Sequence, residues 1–153
     1  MMDLRDLYQE LILDHGRHPR NFHTLEHPTC SVEGYNPLCG DHFTVHVEVH
    51  DGVIQEVAFE GGGCAISTAS ASLMTQAMKG MSVQDARILF EKFHHLVTGE
   101  RLRDEELPEE PHLGKLEVLA GVREFPTRVK CATLAWHTLN AALDKRSEPV
   151  TTE

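Results

Sequence analysis

The sequence predicts an α+β domain, in which a small antiparallel β-sheet of about three strands packs against several α-helices. Strand-like alternation of apolar and polar residues is concentrated between residues 30 and 60, after one N-terminal helical stretch. Helical patterns follow from residue 64 onward, and strands grouped apart from helices favour separate layers. The 153 residues correspond to the length of one domain. We predict a single domain over residues 1–146 and a disordered tail at 147–153.

The strands are predicted from residue alternation and one turn signal. Apolar and polar residues alternate along HFTVHVEVH at 42–50, the period of a half-buried strand. The dipeptide Asp51-Gly52 is a strong two-residue hairpin signal, so residues 53–60 form the return strand. A shorter strand is predicted at 30–35.

The first helices are predicted from their caps and breakers. An amphipathic helix is predicted over DLRDLYQELILDH, broken by Gly16 and Pro19. The Ala- and Ser-rich stretch after Cys64 predicts a closely packed helix that ends at Gly80. Ser82 followed by Asp85 resembles a capping box that opens another helix, extending to about residue 98.

The C-terminal third is predicted to hold two more helices. An acidic, proline-containing connection spans GERLRDEELPEEPHLG, and KLEVLAGV favours a short helix that stops near Gly121. Pro126 precedes a final amphipathic helix over CATLAWHTLNAALDK, with Trp136 as a core anchor.

The charge balance excludes several classes of partner. The chain carries 24 acidic and 14 basic residues, a formal net charge of −10. Non-specific nucleic-acid binding requires phosphate neutralisation, and an anionic membrane surface would repel this chain. The N-terminal stretch lacks the apolar core of a signal peptide, and no stretch reaches membrane-spanning length. We expect a cytoplasmic protein, whose four cysteines are metal ligands, nucleophiles or core residues rather than disulfides.

Two cysteines are predicted to meet at one end of the hairpin. Cys39 lies in the bend NPLCGD before the long strand, and Cys64 follows the return strand. Antiparallel pairing across the Asp51-Gly52 turn sets residues 39 and 64 opposite each other, with Asp41 at the same end. An Asp-capped turn with a merely buried cysteine is the alternative for this bend.

A third cysteine, Cys131, is predicted to begin the last helix. The helix dipole there favours a thiolate, and Arg128 and Lys130 add positive charge. Three sulfurs and the Asp41 carboxylate form a tetrahedral set acceptable to zinc, or an incomplete set for an iron–sulfur cluster. The alternative is that the three cysteines are ordinary core residues, since no CxxC pair accompanies them.

The other candidate ligands fit this pattern less well. Cys30 lies outside it and is predicted to pack as a small hydrophobic residue. His46 and His50 share a polar strand face with Glu48, which favours a solvated face over a metal site.

Three segments resemble a known family. CGD at 39–41, GGGCAISTASASLM at 61–74 and RVKCATLAWHTL at 128–139 are similar, in order and spacing, to the U-type iron–sulfur cluster assembly proteins. That family includes the scaffold IscU and the N-terminal domain of NifU. The similarity extends from about residue 4 to residue 143. It implies a SufE/NifU-like α+β fold.

Two departures from the scaffold pattern resemble the SufU branch. The scaffold carries a histidine immediately before its last cysteine, where this chain has Lys130, and the segment between the second and third cysteines is longer. The resemblance implies zinc ligation by Cys39, Asp41, Cys64 and Cys131. It also implies sulfur acceptance from a SufS-like cysteine desulfurase, and a downstream cluster scaffold or apo-protein as recipient.

The candidate ligands and the family resemblance together indicate three alternative functions. The first is a zinc-binding sulfur acceptor, or sulfurtransferase, with Cys39 as the acceptor because it sits on a Pro-Gly bend. The second is a non-enzymatic scaffold on which a 2Fe-2S cluster is assembled and transferred to apo-proteins. The third is a structural zinc-binding module, although Asp41 suits a more exchangeable site than the Cys/His sets of structural zinc.

Overall fold

The computed structural model describes residues 4–100, 107–146 and 148–151. In this part of the chain, four strands form one sheet in the order β3-β2-β1-β4. The strands are β1 (Cys30–Asn36), β2 (Asp41–His50), β3 (Val53–Gly62) and β4 (Val150–Thr151). The pairs β1–β2 and β2–β3 are antiparallel, and β4 runs parallel to β1. The α+β class is confirmed, with one short strand more than the sequence predicted.

The β2–β3 hairpin turns at Asp51 and Gly52, as predicted. Both residues have positive φ, 51° and 75°, as a type I′ turn requires. The pairing register shifts between Glu48 and Val49. His42 consequently pairs with Gly62, one residue further along β3 than regular pairing from the turn would place it. The bulge shifts the β2–β3 pairing by one residue from the predicted register. The same segments of the two strands still meet at the open end of the hairpin.

The helices lie close to their predicted positions. They are α1 (Leu4–Arg17), α2 (Ala65–Met78), α3 (Val83–Thr98), a 3₁₀ helix (Gly114–Glu124) and α4 (Pro126–Leu143). The cap of α3 is confirmed, because the Ser82 side chain accepts a hydrogen bond from the backbone N–H of Asp85.

Two helix predictions in the C-terminal third need correction. The KLEVLAGV segment forms a 3₁₀ helix that continues past Gly121 to Glu124. The last helix begins at Pro126 instead of Cys131, with proline at its first position. Proline suits that position because its fixed φ matches the helix and its missing N–H would be unpaired there anyway.

The core lies between one face of the sheet and the helices. Trp136 on α4 is buried and stacks on Phe93 of α3, with ring centroids 4.0 Å apart. This confirms Trp136 as a core anchor. Gly34 lets α4 approach β1 closely, because a Cβ there would overlap the Thr138 hydroxyl.

The C-terminal segment differs from the expected disordered tail where the structure describes it. Val150 and Thr151 pair with Gly34 and Tyr35 on β1, because β1 otherwise offers an open edge. Residues 147, 152 and 153 lie outside the described part, as do residues 101–106 of the acidic connection. Among the described helices, none has the length and apolar character needed to cross a membrane.

Candidate metal centre

The β1–β2 loop positions two of the predicted site residues. Asn36 and Asp41 are the last paired residues of the two strands, so residues 37–40 form a four-residue hairpin loop. Gly40 has φ 73°, and the backbone N–H groups of Cys39 and Gly40 both donate to the Asn36 carbonyl. Cys39 is exposed on this loop, whereas Asp41 is buried on the core-facing side of β2.

Helix α4 brings Cys131 to the same point. Its Sγ lies 3.4 Å from the Sγ of Cys39, and Cys131 is fully buried. Because α4 begins at Pro126, Cys131 lies beyond the first helical turn, and the prediction of a thiol at the helix N-terminus is wrong. Burial raises the pKa of the Cys131 thiol, and its hydrogen bond with Cys39 and the charge of Cys64 act in the same direction.

Arg128 and Lys130, which were predicted to stabilise the Cys131 thiolate, lie shortly before Cys131 on α4. Arg128 is exposed to solvent. Lys130 is partly buried and lines a cleft of about 400 Å³ between α4 and β4, together with His137 and Arg146. Lys130 thus immediately precedes the buried Cys131 in sequence and also lines this cleft.

Three side chains form a compact set of metal donors. One sulfur each from Cys39 and Cys131 and one carboxylate oxygen of Asp41 all lie within 4.8 Å of one another. A zinc–sulfur bond of about 2.3 Å in a tetrahedral site places two sulfurs about 3.8 Å apart. The observed 3.4 Å is close to that separation, so these residues fit a zinc ion.

Cys64 reaches the cluster through its backbone. Its N–H donates to Asp41 Oδ1 at 2.9 Å, which places the start of α2 directly beside the carboxylate. The Cys64 thiol instead caps α2, accepting from the backbone N–H of Ser67 at 3.4 Å. The structure thus brings three of the four predicted ligands together and holds the fourth alongside, with its sulfur turned to the helix.

The sequence analysis missed Asn36 at this site. Its side chain is fully buried, and its Nδ2 lies 3.3 Å from Asp41 Oδ2 and 3.6 Å from Cys131 Sγ. The strand alternation carried a signal, since Asn36 takes the core-facing phase of β1 together with Val32 and Gly34.

The remaining cysteine and the strand histidines lie away from the cluster. Cys30 packs against the core and its Sγ lies 3.5 Å from the Arg146 carbonyl, as predicted for a small hydrophobic residue. His46 is buried, so the prediction of a solvated face is wrong for it. Its two ring nitrogens contact Ser31 Oγ at 2.6 Å and Glu60 Oε2 at 3.1 Å, which satisfies the ring without water.

The family follows from the order of these elements and the residues they carry. Residues 7–148 match the family model of the NifU-like N-terminal domain. The chain belongs to this family. The match includes all the described residues of the candidate centre and the strands and helices that hold them.

Curated relatives of this NifU-like chain cover almost its whole length. It is 41% identical to the iron–sulfur cluster assembly scaffold protein IscU of Streptococcus pyogenes serotype M1, over 94% of this chain and 86% of that protein. It is 38% identical to the zinc-dependent sulfurtransferase SufU of Bacillus subtilis (strain 168), over 94% and 93% respectively. It is 37% identical to IscU of Thermotoga maritima, over 97% and 100%.

Solved structures share the fold. A protein from Fervidobacterium islandicum AW-1, assigned to the SUF system as an iron–sulfur cluster assembly scaffold, superposes with a TM-score of 0.79 at 32% identity. The alignment covers 92% of this chain and 99% of that one. A NifU-like N-terminal protein from Brucella abortus gives a TM-score of 0.79 at 21% identity, over 93% and 95%. At that identity the likeness shows the fold alone.

Proposed function

We propose that this protein takes part in iron–sulfur cluster assembly as a zinc-binding sulfur acceptor that works with a cysteine desulfurase. The observation that carries the proposal is the thiol pair at 3.4 Å, in which Cys39 is exposed and Cys131 is buried. Because Cys39 is exposed while Asp41 and Cys131 are buried, a partner protein can reach the Cys39 thiol and exchange sulfur with it. The 38% identity to a protein named as a zinc-dependent sulfurtransferase supports it.

Zinc would be held by Cys39, Asp41 and Cys131, and by Cys64 as the fourth ligand once its thiol leaves the backbone N–H of Ser67. Bound zinc keeps cysteine ligands as thiolates at neutral pH, which is the nucleophilic form. Three thiolates and one carboxylate give the centre a net negative charge. Arg128 and Lys130, on the first turns of α4, partly offset that charge.

Cys39 is the proposed sulfur acceptor because it alone of the clustered donors is exposed. Its thiolate attacks the outer sulfur of a persulfide on the desulfurase, and a new S–S bond forms as the old one breaks. The desulfurase cysteine leaves as a thiolate, and Cys39 becomes the persulfide. No oxidant or reductant is consumed, because the sulfane sulfur keeps its oxidation state.

The proposed partners follow from this chemistry. A SufS-like cysteine desulfurase donates the sulfur, and a downstream cluster scaffold or apo-protein receives it. Leu38, beside Cys39 on the loop, is 66% exposed and offers an apolar contact for such a protein. The reaction requires reduced thiols, which supports a cytoplasmic location.

The experiment combines the zinc-loaded protein, a SufS-like desulfurase and cysteine. We expect faster desulfurase turnover and a mass increase of one sulfur on the peptide that contains Cys39. The variant C39S should abolish that increase, whereas C30S, which changes a cysteine outside the cluster, should preserve it. Unchanged turnover together with an unmodified Cys39 would refute the sulfur-acceptor function.

A scaffold function is the second candidate. It is favoured by the 41% and 37% identities to proteins named as IscU scaffolds. The same donors would then hold a 2Fe-2S cluster as cargo, with the carboxylate of Asp41 easing its release. Anaerobic reconstitution with iron and sulfide should give a cluster that moves to an apo-ferredoxin; failure to form or transfer one would exclude this candidate.

A purely structural zinc module is the third candidate. It is favoured by the burial of Asp41 and Cys131, since buried ligands suit a metal that holds the fold together. Removal of zinc by a chelator separates it from the other two. A structural site predicts unfolding in the chelator, whereas a transfer site predicts a folded metal-free protein.

A further inference from the structure

We infer that Asn36 is a positioning residue of this centre, whose side-chain amide holds Asp41 and Cys131 in the arrangement that binds a metal. The inference rests on the proposed metal site. Asn36 ends β1 and pairs directly with Asp41 across the β1–β2 ladder. Its side chain is fully buried, so it takes no part in the outer surface of the loop.

The side-chain amide of Asn36 makes one contact with each of two candidate metal ligands, Asp41 and Cys131. The Nδ2 group carries two hydrogens. One points to Asp41 Oδ2 at 3.3 Å and the other to Cys131 Sγ at 3.6 Å. These acceptors come from different elements, β2 and α4, so the Asn36 amide bridges the two elements at the candidate centre. Hydrogen bonds from a neighbouring side chain to metal ligands fix the orientation of those ligands and tune their basicity.

The other half of the amide shows what sets its orientation. Asn36 Oδ1 is buried and has no hydrogen-bond partner among the described residues. Exchanging the amide oxygen and nitrogen would place the oxygen against the Asp41 carboxylate, where two acceptors repel. The two contacts of Nδ2 therefore set the orientation of the amide, and the side-chain carbonyl oxygen is left without a partner among the described residues.

The second oxygen of Asp41 completes the arrangement. Oδ1 accepts from the backbone N–H of Cys64 at 2.9 Å, while Oδ2 faces Asn36. The carboxylate is thus held at both oxygens, by β1 and by the start of α2. A neutral amide does this without adding charge to a centre that already contains several anionic groups. Loss of such a group typically weakens metal binding ten- to a hundredfold.

The test compares the variants N36L and N36S with the unmodified protein. Leucine has the same branched side-chain skeleton as asparagine, with two slightly larger methyl groups, and it removes both N–H donors together with the unpaired carbonyl, so the fold should survive. Serine retains one donor. Zinc affinity is measured by competition with a chromogenic chelator, and the ligand field by the visible absorption of the Co²⁺-substituted protein.

A matched control is S70A. Ser70 is buried, donates to the Ala132 carbonyl next to Cys131 and accepts from Trp136, but does not touch the donor set. We expect S70A to lower stability while zinc affinity and the Co²⁺ spectrum stay unchanged. N36L should bind zinc ten- to a hundredfold more weakly with a shifted Co²⁺ spectrum, and N36S should fall between.

Every outcome decides between the proposals. If N36L binds zinc within twofold of the unmodified protein and gives the same Co²⁺ spectrum, Asn36 has no positioning role. If N36L does not fold by circular dichroism, N36S decides by the same two measurements. If the unmodified protein binds neither zinc nor Co²⁺, the metal centre itself is overturned, which is distinct from failure of the Asn36 role.

Discussion

The backbone N–H of Cys64 donates a hydrogen bond of 2.9 Å to the carboxylate of Asp41. This bond crosses the open end of the β2–β3 hairpin, so one carboxylate both belongs to the donor cluster and anchors the start of α2. A negative group at a helix N-terminus is also favoured by the helix dipole. Asp41 therefore links the docking of α2 to the proposed metal site.

The first prediction concerns this link. Replacing Asp41 with alanine removes one candidate metal donor, leaves the Cys64 N–H without its acceptor, and leaves the Asn36 amide with Cys131 Sγ alone. We expect D41A to bind zinc at least tenfold more weakly and to lose about 1–3 kcal/mol in the free energy of unfolding. Chelator competition and urea denaturation measure the two effects.

The two effects of D41A also separate the proposed functions. A transfer site predicts that D41A keeps its native circular dichroism and changes its sulfur-transfer activity. Complete unfolding of D41A would instead support a structural zinc site, and unchanged zinc affinity would remove Asp41 from the ligand set.

The second prediction uses two adjacent glycines with different surroundings. A Cβ at Gly63 would overlap the Asp41 carboxylate and the Ser67 hydroxyl, whereas a Cβ at Gly62 meets nothing within 4 Å. We expect G63A to displace the carboxylate, lower stability by about 1–3 kcal/mol and weaken zinc binding.

G62A is the control for the second prediction, because it carries the same change in chain entropy without the steric contact. Its stability should stay within about 1 kcal/mol of the unmodified protein, with zinc affinity unchanged. Equal behaviour of G62A and G63A would show that the Asp41 carboxylate is not confined by Gly63.

The third prediction concerns the reactivity of the thiols. Cys39 is exposed, whereas Cys131 is buried and has a raised pKa, so the metal-free protein should react with iodoacetamide first at Cys39 and last at Cys131. Peptide mapping by mass spectrometry over time gives the order.

Zinc should slow the alkylation of Cys39 and leave that of Cys30 unchanged. Cys30 lies against the Arg146 carbonyl, outside the donor cluster, and serves as an internal reference. If zinc protects both cysteines equally, the protection reports global stabilisation instead of ligation.

The fourth prediction is a loss of stability at mildly acidic pH. Burial lowers the pKa of His15 below its ordinary value of 6.5, and the positive charge of Arg20 acts in the same direction. The unfolded chain then binds more protons than the folded one below that pH. The stability that the folded state has while His15 is neutral is complete above about pH 6.5. It is lost as the pH falls toward the folded-state pKa of His15, with a slope of at most about 1.4 kcal/mol per pH unit.

Urea denaturation of H15N between pH 7.5 and 5.5 tests this contribution. Asparagine preserves a polar atom near the position of His15 Nδ1, which lies 2.7 Å from Ser72 Oγ, but it does not titrate. The pH slope should become shallower in H15N and stay unchanged in H50N, since His50 is exposed. An unaltered slope in H15N would assign the acid sensitivity to other groups.

Much of the fold was predictable because the signals are local. The alternation along residues 42–50, the Asp51-Gly52 turn and the Ser82 cap each act within a few residues, and all three are found. The predicted start of α4 at Cys131 is wrong, because Pro126 occupies the first helical position and does not merely precede the helix.

The site was predicted less completely than the fold. The sequence placed Cys39, Asp41 and Cys64 at one hairpin end, but it could not show that the Cys64 thiol turns to cap α2. The burial of His46 also escaped prediction, because its ring is held between Ser31 on β1 and Glu60 on β3, the two strands beside β2.

The sequence by itself predicted the candidate metal donors and placed Cys39, Asp41 and Cys64 at one end of the hairpin, because turn type and strand alternation are fixed by neighbouring residues. Only the tertiary structure decided that Cys131 on α4 meets Cys39, and that the Asn36 amide lies between Cys131 and Asp41. These contacts join residues more than 90 positions apart, Cys131 to Asn36 and to Cys39. They depend on how α4 packs against the sheet, and no local pattern encodes that packing.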